Sequence, residues 1–315
     1  MNTDAINSTI EGYIDNKELS GASLLVQDAG GIVFRGKWGM SDIAAQKPLE
    51  YGSIFRLMSM TKCITAVAVM ILCERGSVSL DAPVSDYIPE FACMQVTCDE
   101  RYVFSPDKLS CLPLLLKDFS MDSVRSRPAG RVITVRDLLS HSSGLQQGLC
   151  GLLQMMKGTF DAATLREHAL SFTGHVLDFE PGCGTGYSPV AGFDILGYIV
   201  ETVSGMPLGE FIRREITEPL GMPDTVFKLN AGQAKRLVHV YRRSEDALED
   251  VTGTPGDMQG VLRVSSIRVE HGCGGMYSTL DDYGRFASML ARDGVPVLKP
   301  ETVRLICAEA PANHL

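Results

Sequence analysis

The segment that most constrains the fold is a nearly unbroken apolar stretch with a lysine at its head. Residues 63–73 read CITAVAVMILC and follow directly after Ser59 and Lys62. The stretch ends at Gly76, a residue typical of the position just past a helix end. It is too short to span a bilayer, which needs about 20 residues. The sequence therefore predicts a buried helix over residues 56–75.

Ser59 and Lys62 stand three residues apart, so a helix places them on one face with Cβ atoms about 5–6 Å apart. An amine that burial keeps neutral can accept the serine's proton and turn the hydroxyl into a nucleophile. The backbone N–H of a serine in a first helical turn can also point at an oxyanion. The ordinary alternative is a serine that caps the helix and a lysine on its surface. The S-x-x-K pattern by itself leaves both interpretations open.

Composition limits the partners of the chain. Its formal net charge is −9, and no stretch of five basic residues occurs, so nucleic acid and anionic membranes are not expected as partners. The N-terminus lacks the apolar segment of a secretory signal. The nine cysteines are scattered, and Cys93, Cys98 and Cys111 lack a C-x-x-C pair, so we expect reduced thiols, no metal and a cytoplasmic location.

Periodicity and turn residues predict the remaining elements. Two strands at 22–28 and 32–38 flank the sequence AGG, a hairpin signal. A short helix begins near Thr134 and ends before Gly144, and Thr279 is the expected N-cap of a helix at 280–291. Residues 91–130 lack periodicity and are predicted to be a surface insertion, and residues 230–260 a loop. Further helices are expected at 4–18, 161–171, 190–204, 207–217 and 300–308.

Four segments together are more specific than S-x-x-K alone. They are the stretch around Ser59 at 53–91, ITVRDLLSHSSGL at 133–145, GYSPVAGFDILGYIVETVSGMPLGEFIRREITEPLGM at 186–222 and GCGGMYSTLDDYGRFASML at 272–290. In this order they resemble the serine β-lactamase and penicillin-binding protein superfamily. The resemblance is greatest to its branch of class C-like β-lactamases, D-alanyl-D-alanine carboxypeptidases and related esterases, and it covers roughly residues 20–308.

The resemblance implies an α/β (α+β) fold of the β-lactamase/transpeptidase type, with an antiparallel sheet flanked by helices and a mostly helical region. We expect one domain over 1–315. Within it, 1–55 form the N-terminal helix and two strands, 56–290 the mostly helical region with the insertion 91–130, and 291–315 the start of the return to the sheet. The family's C-terminal strands are missing from this pattern, so the chain is expected to be a shortened form, a fragment, or one completed by a partner chain or in a homo-oligomer.

The resemblance also implies roles for individual residues. Ser59 matches the acylated nucleophile, Lys62 the base of S-x-x-K, and Tyr187 the tyrosine of Y-x-N, which carries the proton to the leaving group and activates water. Gly274 and Gly275 match the Gly-rich loop and are expected to contact the substrate. No metal and no organic cofactor are implied.

Two positions depart from the family pattern. Pro189 stands where Y-x-N has asparagine, and proline has neither a side-chain amide nor a backbone N–H. The change argues against β-lactams and peptidoglycan-like substrates more than against acyl transfer in general. The third motif, K-T-G or H-x-G, has only two local imitations, HGCG at 271–274 and KWG at 37–39.

The predicted function is a serine hydrolase that forms an acyl-enzyme at Ser59. Its small-molecule acyl substrates are expected to be small esters, amides or peptides of D-amino acids, or β-lactams. The alternative is a non-catalytic or acylation-only binding or sensor protein on the same scaffold, or a fragment that needs a partner.

Overall fold

The computed structural model describes residues 2–103, 108, 111–158, 162–245, 247–254, 257 and 269–308. Its helices are α1 Thr3–Asp15, α2 Thr61–Glu74, α3 Leu112–Asp118, α4 Val135–Leu139, α5 Leu149–Lys157, α6 Leu165–Ser171, α7 Ala191–Ser204, α8 Leu208–Ile212, α9 Ala231–Ala234, α10 Leu280–Ala291 and α11 Pro300–Cys307. Its strands are β1 Gly21–Asp28, β2 Gly31–Asp42, β3 Lys47–Pro48, β4 Ile54–Arg56, β5 Gln95–Thr97, β6 Ser126–Pro128, β7 Val176–Leu177, β8 Tyr241–Arg243, β9 Leu248–Asp250 and β10 Tyr277–Thr279.

The chain divides into two compact units. The first unit contains residues 1–58, 213–267 and 275–303, and the second contains 59–212, 268–274 and 304–315. The assignment of the whole chain to one domain stays a prediction.

The first unit is built on the predicted N-terminal hairpin. Strands β1 and β2 pair antiparallel from Gly21 opposite Gly39 to Asp28 opposite Gly31, and β3 adds to the outer side of β2. Gly31 has φ of +126°, a conformation that glycine adopts without strain, so the tight turn needs it. Helix α10 packs on β1, and β4 pairs with β10. The predicted strands, the hairpin and Thr279 as N-cap of α10 are confirmed.

The second unit is built on two apolar helices. Helix α2 packs against α7, and residues such as Ile64 and Ala68 of α2 and Leu196 and Ile199 of α7 are completely buried. The predicted start of α2 at residue 56 was wrong. Met58 has φ of +49°, which an α-helix excludes, so Ser59 lies in a 3-10 turn, Met58–Met60, just before the helix.

The segment 91–130, predicted to be a surface insertion without periodicity, contains regular elements. Strand β5 pairs antiparallel with β6 and parallel with β7, and α3 lies between β5 and β6 in the chain. The rings of Tyr102 and Phe119 pack edge to face and are buried with Leu149 and Leu153 of α5. These aromatic residues are too irregularly spaced to show helical or strand periodicity, so sequence patterning did not detect this small core.

Among the remaining predictions of helices and loops, some are confirmed and others are wrong. Helix α5 was not predicted, and 230–260 is not a simple loop because it contains α9, β8 and β9. The expected helices α1, α4, α6, α7 and α11 are present, although α6 begins later than predicted. Helix α8 continues as a π-helical turn, Arg213–Thr217.

Among the described residues, no single helix is long and apolar enough to cross a membrane. The bent pair of α7 and the helical stretch Leu208–Thr217 meets the length and composition test only when both parts are taken together.

Candidate active site

The second unit brings together the hydroxyl, the amine and the phenol that the sequence singled out. Ser59 is exposed in its 3-10 turn, whereas Lys62, in the first turn of α2, has only 5% of its surface exposed. The distance from Lys62 Nζ to Ser59 Oγ is 3.4 Å, and Tyr187 Oη lies 2.6 Å from the same Oγ. The serine therefore contacts both groups that could carry its proton.

Two backbone carbonyls hold the lysine. Lys62 Nζ donates to the carbonyl oxygens of Pro189 and Cys273, each at 2.7 Å. A neutral amine has two N–H groups and one lone pair. In the protonated form the third N–H of Lys62 is directed at Ser59 Oγ, and in the neutral form, with both N–H groups donated to the carbonyls, the lone pair takes that place. The geometry therefore suits a base that accepts the proton of Ser59.

Tyr187 is held less tightly. Its side chain is 55% exposed, and its ring lies 5.0 Å from the ring of His141 and 5.2 Å from Lys62 Nζ. His141 accepts a hydrogen bond at Nδ1 from the N–H of Ser188. Burial, and secondarily the charge of Lys62, lower the pKa of His141, which favours the neutral imidazole this bond requires.

The loop of residues 270–274, called here the 270–274 loop, carries the second carbonyl that binds Lys62. It lies so close to α7 and α2 that a Cβ at Gly272 would be 2.6 Å from the carbonyl oxygen of Phe193 and 3.1 Å from Thr65 Cγ2. Thr65 Oγ1 donates to the carbonyl of Gly272 at 2.8 Å. A side chain at 272 would push the loop away from both helices.

The two glycines predicted to bind substrate lie at the end of this loop. Gly274 is buried, and its N–H donates at 3.3 Å to the carbonyl of His271, which closes a turn. That N–H is therefore engaged within the turn. Gly275 is half-buried and belongs to the first unit. A role of either glycine in substrate binding stays a prediction.

Residues of the HGCG and KWG strings bond to other parts of the chain. Cys273 binds Lys62 through its carbonyl, and His271 Nδ1 lies 2.8 Å from Asp194 Oδ2. Lys37 donates to the carbonyl of Leu49 and pairs with Glu50.

One group of side chains has the composition of a metal site. Donor atoms of His168, Asp194 and His271 lie within 4.8 Å of one another. The carboxylate is 2.9 Å from His168 Nε2 and 2.8 Å from His271 Nδ1, which are hydrogen-bond lengths. Burial opposes ionisation of Asp194, but the two histidines and their hydrogen bonds hold the pKa of its carboxyl well below its usual range. The carboxylate of Asp194 therefore lies between two imidazoles and contacts both through Oδ2.

A cavity of about 200 Å³ opens beside Tyr187. Pro189 lies in its wall, and Leu149, Leu152 and Met155 contribute apolar surface from α5. The proline that replaces the family's asparagine therefore gives the wall an apolar ring where an amide would stand, while its carbonyl binds Lys62.

Similarity to known proteins shows the family of the chain. The sequence profile of the family described as Beta-lactamase matches residues 6–307. The chain belongs to the beta-lactamase family. Protein Rv1367c of Mycobacterium tuberculosis is 32% identical over 320 residues, covering 97% of this chain and 72% of that protein.

Two further relatives of this beta-lactamase-family chain carry names that describe an activity. Esterase EstB of Burkholderia gladioli is 28% identical over 319 residues, covering 95% of this chain and 72% of its own. The structure of simvastatin synthase LovD from Aspergillus terreus superposes with a TM-score of 0.75 at 24% identity, covering 96% of this chain and 71% of LovD. The predicted superfamily, the fold class and a serine-hydrolase enzyme are confirmed.

Sequence reasoning missed Asp194 and His168, and it read His271 only as part of a motif imitation. The signal for Asp194 was present, because it is an aspartate on the apolar face of α7. Such a residue is rarely buried without partners. Nothing in the sequence indicated that those partners come from α6 and from the 270–274 loop.

Proposed function

We propose that this beta-lactamase-family chain hydrolyses small apolar esters through an acyl-enzyme at Ser59. Lys62 is the base and Tyr187 the second proton carrier. The observation that carries the proposal is the pair of contacts at Ser59 Oγ, 2.6 Å to Tyr187 Oη and 3.4 Å to Lys62 Nζ. A serine with a base in hydrogen-bond reach, oriented in turn by further groups, has the arrangement of an activated nucleophile.

The reaction follows from these contacts. Lys62 takes the proton of Ser59 as Oγ attacks the ester carbonyl carbon, and the backbone N–H of Ser59, in the 3-10 turn before α2, is the candidate donor to the oxyanion. Collapse of the tetrahedral intermediate breaks the bond to the alcohol, which leaves with a proton delivered through Tyr187. Water then attacks the acyl-enzyme, giving its proton back through the same pair and releasing the acid and Ser59.

The cavity beside Tyr187 supports an apolar acyl group. Gln146 and Gln147 also line it, but Pro189, Leu152 and Met155 give its wall the apolar surface that a hydrocarbon acyl group would contact. The volume of about 200 Å³ favours a short acyl chain over a long one. The name of EstB, an esterase, is consistent with this substrate class.

The test is intact-mass spectrometry of the chain after exposure to p-nitrophenyl butyrate and, separately, to benzylpenicillin. We expect a butyryl adduct that decays, and a much slower or absent penicilloyl adduct. Ser59→Ala should carry neither. An equal rate with p-nitrophenyl dodecanoate would contradict the short-chain assignment.

The same experiment separates the alternative function. A butyryl adduct on Ser59 that forms and does not decay identifies an acylation-only sensor. A folded chain that takes no adduct from any of these probes rules out Ser59 as a nucleophile.

A further inference from the structure

One of the two backbone carbonyls that orient Lys62 belongs to Cys273. The carbonyl oxygen of Cys273 accepts from Lys62 Nζ at 2.7 Å, while its N–H donates to Asp194 Oδ1 at 2.9 Å. The carboxylate and the amine are thus linked through a single residue of the 270–274 loop. A shift of this residue moves the acceptor that directs the lone pair of the base.

Asp194 is an unusual residue for its place in the fold. It sits on α7, within the buried face of the helix, and its side chain has no exposed surface. A buried carboxylate is costly unless hydrogen bonds compensate it. His168 and His271 both contact Oδ2, which leaves Oδ1 for Cys273. The two imidazoles therefore fix the carboxylate in the rotation that presents Oδ1 to the loop.

A second anchor of the loop comes from the helix that carries the base. Thr65 lies one turn after Lys62 on α2, is completely buried, and donates from Oγ1 to the carbonyl of Gly272 at 2.8 Å. The 270–274 loop is therefore bonded to α7 through Asp194 and to α2 through Thr65. Both bonds are to backbone groups next to the carbonyl that binds Lys62.

We propose that Asp194, held by His168 and His271, is a positioning residue for the base Lys62 and acts on it through the backbone of Cys273. The inference rests on the proposed function, because it assigns a task to the group that activates Ser59. The buried cluster of His168, Asp194 and His271 thus supports catalysis without touching the reacting atoms.

The test measures the single-turnover rate of acylation by p-nitrophenyl butyrate as a function of ester concentration. Asp194→Ala should lower the limiting acylation rate about 10²-fold, the loss typical of a misplaced catalytic group. The half-saturating ester concentration should stay unchanged, because the cavity lies elsewhere. Asp194→Asn, which keeps an acceptor oxygen for the Cys273 N–H, should recover most of the rate.

The matched control is Asp99→Ala. Asp99 is also a buried carboxylate of the second unit that accepts a backbone N–H, from Arg101, but it lies in the 91–130 segment. Its loss should cost stability and leave the acylation rate of the folded fraction unchanged. An equal loss of acylation in Asp99→Ala and Asp194→Ala would reduce Asp194 to a structural ion pair and overturn the inference.

A second variant keeps the test decisive if Asp194→Ala does not fold. Thr65→Val preserves shape and removes the other anchor of the loop. It should slow acylation about tenfold, the value of one hydrogen bond, and Thr65→Ser should restore the rate. With Asp194→Ala unfolded, a wild-type acylation rate in Thr65→Val would show that the anchoring of the loop does not control the base and would overturn the inference.

The outcomes for the two proposals differ. If the wild-type chain is acylated on Ser59 and the anchors prove irrelevant to the limiting rate, only the positioning inference fails. If Ser59→Ala is acylated as fast as the wild type, the proposed nucleophile is wrong and the positioning inference fails with it.

Discussion

The two neighbours of Ser59 are held in opposite ways. Lys62 is 5% exposed, donates to two backbone carbonyls and lies between α2, α7 and a loop with its own buried anchors. Tyr187 is 55% exposed and, apart from Ser59, is held chiefly by ring contacts with His141. One proton carrier belongs to the core, and the other lies at its surface beside an open cavity.

The difference indicates which of the two residues benefits from burial and which from exposure. A base that must hold its lone pair on a hydroxyl gains from burial, since buried hydrogen bonds are strong and leave no alternative partners. A residue that handles protons for leaving groups and water must remain open to both. We call Lys62 and the residues that hold it the lysine side, and Tyr187 with its ring contacts the tyrosine side. The activity of the lysine side should be sensitive to changes in packing, and that of the tyrosine side should tolerate them.

The largest effect is expected from removal of the base. Lys62→Met should lower the acylation rate by about 10³-fold, because general-base catalysis contributes on that scale. It should also destabilise the fold, since the carbonyls of Pro189 and Cys273 lose their buried donor. Burst kinetics and chemical denaturation measure the two effects. Lys157→Met, at an exposed lysine of α5, is the control and should change neither.

The tyrosine side should lose activity without losing stability. Tyr187→Phe should reduce turnover about 10²-fold by removing a proton carrier, while the exposed ring keeps its contacts and the melting temperature stays unchanged. Tyr13→Phe, at a similarly exposed ring on α1, provides the comparison. A marked fall in melting temperature for Tyr187→Phe would remove the contrast between the two sides.

The packing of the lysine side can be tested through a single methyl group. Gly272→Ala places a Cβ 2.6 Å from the backbone oxygen of Phe193, which cannot move aside, so it should cost about 1–3 kcal/mol of unfolding free energy and slow acylation. Gly174→Ala, where a Cβ meets nothing within 4 Å, should have little effect on either. Denaturant titration of both variants would measure the difference, and equal stabilities would show that the loop adjusts freely.

The smallest effect is expected from acid. Because the pKa of His141 in the folded chain lies below its ordinary 6.5, the unfolded chain binds the extra proton first as the pH falls. The unfolding free energy should therefore rise with pH through the interval below 6.5. The contribution of His141 to it should be lost as the pH falls through that interval. Denaturant titrations at pH 7 and pH 5 measure this difference.

His141→Asn isolates the contribution of that histidine, since asparagine tolerates the φ of +55° at this position. The stability difference between the two pH values should shrink in the variant. Burial also lowers the pKa of His175, to about 4, so part of the difference should persist. An unchanged difference in His141→Asn would assign the pH dependence to other groups.

Local signals along the chain predicted much of the fold. The hairpin at β1 and β2, the capped starts of α4 and α10 and the apolar helices α2 and α7 all depend on residues within a few positions of each other. The small core of Tyr102 and Phe119 with α5 was missed, because its members are distant in sequence and show no period.

The sequence by itself determined the chemical groups at the site: a hydroxyl and an amine one turn apart, and a tyrosine in a segment of known resemblance. Only the tertiary structure decided which way the amine points. Its two acceptors are backbone carbonyls, which every residue has, so no side chain at Pro189 or Cys273 identifies them. Likewise, the partners of Asp194 come from positions 168, 271 and 273, and only packing of α6, α7 and the 270–274 loop brings them within hydrogen-bond distance.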